Sequence, residues 1–253
     1  MLWALAAALA LAAPKPKAPP PTPVLVAIDP GHGGEREGAV SADGAAEKDL
    51  TLQIARRLKA RLERLGARVL LTRSGDDSVP LAQRAALANA ERADVFVSIH
   101  LNAMPGAARK RAHGFETYFL SADASDASAT AVAARENADR LSGEPEVDSS
   151  DAVAGILADL EDTANLSESS RLAYTLHESL LRGTGGEDRG VKQAPFYVLA
   201  GARMPAVLLE LGFLSHPAEA RLLRSASYQD ALARAIADGI LAWRLRGRRA
   251  ALP

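Results

Sequence analysis

Apolar residues along this chain follow two periods, and segments with one period alternate with segments of the other. Short runs rich in β-branched and other apolar residues predict buried strands, at residues 24–28, 67–72, 94–100, 114–120, 196–199 and 206–211. Apolar residues recur at helical spacing between or after these runs, at residues 47–65, 80–92 and 228–245. This order favours an α/β fold, with a mostly parallel, twisted sheet of roughly six strands and helices on both of its faces.

The first 23 residues differ in character from the rest of the chain. Residues 1–13 are almost wholly apolar and end in small residues, which is typical of a cleaved signal peptide. This run is shorter than the roughly 20 residues that a membrane-spanning helix needs, so no transmembrane segment is predicted. Residues 14–23 are rich in proline and predict an extended linker. We therefore expect an exported protein of the periplasm or cell envelope, with its folded domain at residues 24–247 and a short tail at 248–253.

Composition excludes several classes of chemistry. The 253-residue chain contains no cysteine, which rules out disulfides, cysteine-ligated zinc, iron–sulfur clusters and thiol catalysis. Its formal net charge is −1, and no nucleic-acid recognition motif is present, so we expect no nucleic-acid partner.

Residues 121–188 form an acidic segment within this nearly neutral chain. They contain 15 aspartates and glutamates but four arginines. Helical spacing is recognisable at residues 124–141, 151–160 and 167–181. One interpretation is a solvated helical insertion, and the other is an acidic lid over a more basic core and its functional site.

Two histidines follow buried strands at points where a sheet usually opens onto a ligand crevice. His32 lies in a glycine-rich loop after the first strand, and His100 ends the strand that begins near residue 94. Carboxyl ends of parallel strands meet at one edge of a sheet, so the two imidazoles can converge. Each histidine alone could be a satisfied polar side chain, but together they suggest a metal site.

Two glutamates occupy equally informative positions. Glu47 begins the first long helix, where it could pair with the helix dipole or join His32 and His100 as a metal ligand. Two histidines and a glutamate form one known catalytic zinc pattern, with an open fourth position. Glu210 lies inside an apolar run, so it should either pair with an arginine or act as a general base.

Four ordered motifs carry a resemblance to a known enzyme family. Residues 29–34 (DPGHGG), 47–49 (EKD), 98–103 (SIHLNA) and 209–215 (LELGFLS) resemble those of the zinc-dependent N-acetylmuramoyl-L-alanine amidases, which include the bacterial cell-separation enzymes. The resemblance extends over residues 24–245. It implies one zinc ion per chain, bound by His32, Glu47 and His100, with Glu210 as the catalytic glutamate.

The implied reaction is hydrolysis of the amide bond between N-acetylmuramic acid and L-alanine in peptidoglycan, during wall remodelling or daughter-cell separation. Cell-separation members are similar in carrying an insertion in which a helix blocks the zinc until an activator protein displaces it. The matching segment here is 121–188, and Glu136 is the candidate for the blocking carboxylate.

Polar and basic residues near these motifs could bind the carboxylates of muropeptides. The candidates are Arg73, Arg84, Asn102, Arg189 and Lys192. The basic residues could equally be plain surface charge. Two other functions use the same motifs: a zinc peptidase that acts on wall peptides, and a catalytically silent wall-binding or activator module.

Overall fold

The computed structural model describes residues 23–139 and 163–250, within which six strands form one sheet. The strands are β1 (Leu25–Pro30), β2 (Arg68–Leu71), β3 (Val95–Asn102), β4 (Phe115–Leu120), β5 (Asp188–Ala194) and β6 (Ala206–Phe213). Their order across the sheet is β2-β1-β3-β6-β4-β5. Every neighbouring pair is parallel except β4 and β6, which are antiparallel.

Helices cover both faces of this sheet. They are α1 (Glu47–Arg64), α2 (Leu81–Ala90), α3 (Ala127–Asn137), α4 (Thr163–Thr184), α5 (Pro217–Leu223) and α6 (Ala226–Ala250), with a short 3-10 helix at Gly106–Lys110. Alternate residues of a strand point to opposite faces. Accordingly, Val26 and Ile28 of β1 pack with α1, α4 and α6, whereas Leu25 and Ala27 pack with α2 and α3. The predicted α/β fold is therefore confirmed.

The same alternation places the polar residues of the central strands. In β3, Phe96 packs on the α2 and α3 side of the sheet, and Val97 packs on the opposite side. The period of two therefore puts His100 and Asn102 on the α3 side. The carboxyl ends of β1, β3 and β6 lie at one edge, because these three neighbouring strands are parallel.

The acidic segment 121–188 does not form a single solvated insertion. Within it, α4 buries Leu172, Leu176 and Leu180 completely and packs against α6, where Ser179 donates a hydrogen bond to the Ala235 carbonyl. This helix is therefore packed into the core, and the interpretation of a solvated surface does not hold for it. The predicted helices at 124–141 and 167–181 correspond to α3 and α4, and the one at 151–160 lies outside the described residues.

One predicted strand is wrong. Residues 196–199 form turns, in which the Leu199 and Ala200 amides donate to the Phe196 carbonyl. This run is apolar because it is buried, and burial alone does not distinguish a strand from a compact turn. The sixth strand of the sheet is instead β5, which the apolar pattern did not predict. It is polar and partly exposed because it lies at the edge of the sheet.

The predicted signal peptide and nearly all of the linker fall in residues 1–22, outside the described part of the chain. Among the helices that the structure describes, none combines the length and the apolar character needed to cross a membrane.

Candidate active site

The loop after β1 holds His32 in a tightly packed position. His32 has a positive φ of 60°, a left-handed conformation that histidine adopts more readily than most residues. Two glycines make room for the imidazoles. A Cβ at Gly31 would lie 2.5 Å from Cε1 of His100, and one at Gly38 would lie 2.5 Å from Cδ2 of His32. The glycine-rich sequence therefore allows the backbone to approach both histidine rings.

Glu47, at the start of α1, is fixed between the two histidines. Its Oε2 accepts a hydrogen bond from the Ala39 amide at 2.8 Å, and its Oε1 accepts one from the Leu101 amide at 2.7 Å. The same Oε1 lies 3.0 Å from Nε2 of His32 and 3.3 Å from Nδ1 of His100. The structure thus brings together all three residues that the sequence predicts as metal ligands.

A second carboxylate reaches the histidines from α3. Oε2 of Glu136 lies 3.0 Å from Nδ1 of His100 and 3.4 Å from Nε2 of His32, and its side chain is buried. Ligand atoms of His32, His100 and Glu136 all lie within 4.8 Å of one another, so this cluster could hold a metal ion. Glu136, the candidate for the blocking carboxylate, therefore contacts both histidines.

Unsatisfied polar atoms mark the centre of this cluster. Nε2 of His32, Nδ1 of His100 and Oε2 of Glu136 are buried, and although they lie 3.0–3.4 Å from oppositely charged groups, none of them makes a hydrogen bond of good geometry among the described residues. A buried polar atom left unpaired costs about 1–3 kcal/mol, and a cation among these nitrogens and oxygens would remove that cost. The donor set therefore fits a metal ion.

The charges of the cluster are strongly coupled. Burial alone would raise the pKa of Glu47, but His32 and His100 hold that pKa well below its usual value. Burial alone would lower the pKa of His32, but Glu47 and Asp139 raise it to about 9. Without a metal ion, the carboxylates thus favour protonated histidines, as expected for a site that attracts positive charge.

Glu210 of β6 lies beside this cluster, paired in register with His100 on β3. Its side chain is fully buried, and its Oε1 lies 3.2 Å from Nη2 of Arg135, while Oε2 has no hydrogen-bond partner among the described residues. Burial raises the pKa of Glu210 to about 8 although Arg135 opposes that shift. A carboxyl group that titrates near neutral pH can both accept and return a proton.

Two further carboxylates belong to the site and were not singled out from the sequence. Oδ2 of Asp139 lies 2.9 Å from Nδ1 of His32, the position of a group that orients a metal-binding imidazole. Glu116 of β4 pairs in register with Glu210. Nothing local marks Asp139, but Glu116 lies in an apolar strand just as Glu210 does, and that pattern could have identified it.

Arg73 and Arg84 do not form an exposed basic rim. Both are buried, and Arg73 donates to the carbonyls of Pro30 and Gly31. Arg84 donates to the His32 carbonyl and to the buried carboxylate of Asp29. The two guanidinium groups therefore hold the His32 loop in place from behind, instead of forming the predicted basic rim for substrate carboxylates.

Arg189 and Lys192 remain partly accessible next to the site. Nε of Arg189 lies 3.0 Å and Nζ of Lys192 lies 3.1 Å from Oε1 of Glu116. Asn102 is buried and donates from Nδ2 to Oε2 of Glu116 at 2.7 Å. Three of the five predicted substrate-binding residues thus gather around one carboxylate.

Comparison with known proteins agrees with this geometry. The family model described as N-acetylmuramoyl-L-alanine amidase matches residues 26–242. The amidase AmiC of Neisseria meningitidis is 39% identical over 85% of this chain and 51% of its own length. AmiA of Escherichia coli is 35% identical over 87% of this chain and 75% of its own length. The chain thus spans about half of the first relative and three quarters of the second.

Solved structures agree as well. The crystal structure of N-acetylmuramoyl-L-alanine amidase from Clostridium difficile 630 is 31% identical, with a TM-score of 0.67, and the match covers 88% of this chain and 98% of that one. The motifs, the fold and these comparisons lead to one conclusion: the chain belongs to the N-acetylmuramoyl-L-alanine amidase family.

Proposed function

We propose that this chain hydrolyses the amide bond between N-acetylmuramic acid and L-alanine in peptidoglycan, with one zinc ion per chain. The proposal rests on the arrangement of His32, Glu47 and His100, in which one carboxylate oxygen of Glu47 faces a buried nitrogen of each imidazole. The buried carboxyl group of Glu210 lies next to them. We further propose that the protein is exported and acts in the periplasm or cell envelope, during wall remodelling or daughter-cell separation.

His32, Glu47 and His100 would hold the zinc ion, since two imidazoles and one carboxylate are a known ligand set of catalytic zinc. A bound zinc ion supplies Lewis acidity, which lowers the pKa of a water molecule and polarises a carbonyl group. The hydrogen bonds from Ala39 and Leu101 to Glu47 keep that carboxylate oriented toward both histidines. Asp139 supports His32 from the opposite ring nitrogen.

Glu210 carries the proton transfers. It accepts a proton from the attacking water, whose oxygen forms the new bond to the amide carbon. The carbon–nitrogen bond then breaks, and Glu210 returns the proton to the nitrogen of L-alanine. Burial raises the pKa of Glu210, and a nearby cation would moderate that shift, so its carboxyl group is suited to exchange a proton near neutral pH. The reaction needs no covalent intermediate with the protein.

Helix α3 would regulate this activity. Glu136 lies where a substrate carbonyl would need to approach, and Arg135 pairs with Glu210. We propose that the enzyme is autoinhibited in this arrangement and that an activator protein displaces α3. CwlD, an amidase from Clostridioides difficile that is 26% identical to this chain, has been solved in complex with the GerS lipoprotein, which makes a protein partner reasonable here too. The predicted helix at residues 151–160 lies outside the described residues.

Two rival functions follow from the same residues. A zinc peptidase would cleave between amino acids of the wall peptide, and a silent wall-binding module would bind wall without cleaving it. The family favours the amidase over a peptidase, and the presence of every residue of the proposed reaction argues against a silent module.

Metal analysis and digestion of purified sacculi test the proposal together. We expect about one zinc per chain, and stem peptides released with a free L-alanine amino group. His32→Ala combined with His100→Ala should lose both zinc and activity, whereas His113→Ala, at an exposed histidine, should lose neither. Full zinc occupancy in the double variant would contradict the ligand assignment.

The role of Glu210 has its own test. Glu210→Gln should keep zinc and fold but lose turnover by on the order of 10²-fold or more, as expected when a general base is removed. Near wild-type turnover by the zinc-loaded variant would reject this role. Cleavage between peptide residues alone would support the peptidase instead.

A further inference from the structure

The guanidinium group of Arg135 lies in a small polar binding site, the seat, formed by Asn102, Ala103 and Glu210. Nη1 donates to Oδ1 of Asn102 at 3.1 Å and to the carbonyl of Ala103 at 3.0 Å. Nη2 donates to Oε1 of Glu210 at 3.2 Å. Asn102 and Glu210 belong to β3 and β6, so three oxygen acceptors of the scaffold form this seat, and α3 supplies the cation that fills it.

The seat is preorganised by Glu116. A carboxylate can only accept hydrogen bonds, so Nδ2 of Asn102 must face Oε2 of Glu116, at 2.7 Å. Oδ1 of Asn102 then faces the Ala103 amide, at 2.8 Å, and the guanidinium of Arg135. Glu116 is itself fixed by Tyr118, Arg189 and Lys192. The acceptor oxygen of Asn102 is therefore aimed at the seat by contacts that do not involve α3.

Two acceptor oxygens, from Asn102 and Ala103, converge with the oxygen of the proposed general base, and this arrangement suits a nitrogen that carries hydrogens and gains positive charge. In the proposed reaction, the nitrogen of the scissile amide is such an atom. It has one N–H in the substrate, and it takes a second proton from Glu210 as the bond to the carbonyl carbon breaks and its electron pair returns to nitrogen. The free amine can then take up a third proton from solvent.

Resting on the proposed function, we infer that Asn102 Oδ1 and the Ala103 carbonyl accept the N–H of the scissile amide and then hold the departing amine of L-alanine. Arg135 inhibits by imitating that amine in the same seat, while Glu136 lies over the histidines. Asn102 is thus a catalytic residue, and Glu116 is a positioning residue that acts through it.

Replacement of the N–H by oxygen tests the seat directly. Two muramyl peptides are compared, one with the natural amide and one with L-lactate in place of L-alanine, so that an ester lacks the N–H. The enzyme carries Arg135→Ala and Glu136→Ala, which leaves the seat accessible and removes the Arg135 contact from the comparison. We expect that adding Asn102→Ala lowers the amide-to-ester ratio of kcat/KM by about tenfold, the effect of one lost hydrogen bond.

Asn89→Ala is the matched control. Asn89 lies away from the site and also makes two hydrogen bonds. It donates one to the Gly201 carbonyl and accepts one from the Arg203 amide. It should leave the ratio unchanged, since a general loss of stability lowers both substrates alike. An unchanged ratio in the Asn102 variant overturns the inference while leaving amidase activity intact. Failure to hydrolyse either substrate before Asn102 is changed counts against the proposed function instead.

A binding measurement keeps the inference testable if Asn102→Ala does not fold. Calorimetry compares a stem peptide that begins with L-alanine with the same peptide carrying a propionyl group instead, which lacks the amine. The protein with Arg135→Ala and Glu136→Ala should bind the free amine about tenfold more tightly than the propionyl peptide, and the parent protein should show no such preference. Equal binding of both peptides by the double variant would overturn the inference that this site holds the departing amine.

Discussion

Helices α3 and α4 come from the same acidic segment, yet they bury different kinds of side chain. Three leucines of α4, Leu172, Leu176 and Leu180, are fully buried, and each contributes about 1.5–3 kcal/mol. The interior face of α3 consists of two alanines, one valine and two polar residues, Glu136 and Asn137. Buried polar groups contribute little beyond their own desolvation cost. The comparison teaches that α4 buries more apolar surface in the core than α3 does, so we expect α3 to be the helix that leaves the site at the smaller cost.

The largest expected effect tests whether α4 belongs to the core. Leu176→Ala should lower the free energy of unfolding by about 2–5 kcal/mol, because a fully buried leucine leaves a cavity. It should not raise amidase activity. Tyr174→Ala, at an exposed position on the same helix, should change stability by less than about 0.5 kcal/mol. Denaturant titration measures the free energy of unfolding of both variants. Equal losses of stability would contradict the assignment of α4 to the core.

The next effect tests whether α3 blocks the site. Arg135→Ala with Glu136→Ala should raise activity on sacculi by at least about tenfold, because both contacts of α3 with the reacting groups are lost. The matched control is Arg171→Ala with Glu168→Ala, an arginine–glutamate pair on the surface of α4, which should leave activity unchanged. A folded, zinc-loaded double variant no more active than the parent would argue against autoinhibition.

A smaller effect asks whether the α3 region also supports the metal ion. Asp139→Ala should weaken zinc affinity by about tenfold, since the carboxylate orients His32 from its second ring nitrogen. Asp188→Ala removes a similar aspartate–histidine contact, to His177 of α4, and should leave zinc affinity unchanged. Competition with a chelator of known affinity measures both. Equal zinc affinities of the Asp139→Ala variant and the parent would show that the α3 region does not support the metal ion.

The smallest effect concerns the start of α3. Asp126 caps the helix by accepting a hydrogen bond from the Ala129 amide at 2.7 Å, and its pKa lies below its ordinary value because of that bond. Loss of such a cap costs about 0.5–2 kcal/mol, so Asp126→Ala should loosen α3 and raise basal activity a fewfold. Asp126→Asn keeps a capping oxygen and should raise it less. Identical activities would show that the cap does not hold α3 on the site.

Local patterns indicated much of the candidate site because its residues lie in regular elements or directly after them. His32 and His100 could be recognised from the strands that precede them, and Glu210 from its apolar surroundings. The structure brings these residues together with Glu47, as expected from parallel strands whose carboxyl ends share one edge.

The prediction of an exposed basic rim failed for Arg73 and Arg84, because an arginine can be buried when enough carbonyls accept its hydrogen bonds. Nothing in the neighbouring sequence indicates those distant carbonyls. The strand at 196–199 failed for a related reason, since an apolar run records burial and leaves open how the backbone pairs.

The sequence by itself determined the α/β fold, the family and the residue types that can bind a metal ion, because short-range periodicity and ordered motifs encode them. Only the tertiary structure decided that Asp139 also reaches His32 and that Arg135 pairs with Glu210. Asp139 meets His32 across 107 positions of the chain, and Arg135 meets Glu210 across 75. Such contacts depend on how α3 packs over the sheet edge, and no local pattern records the partner of a side chain that distant.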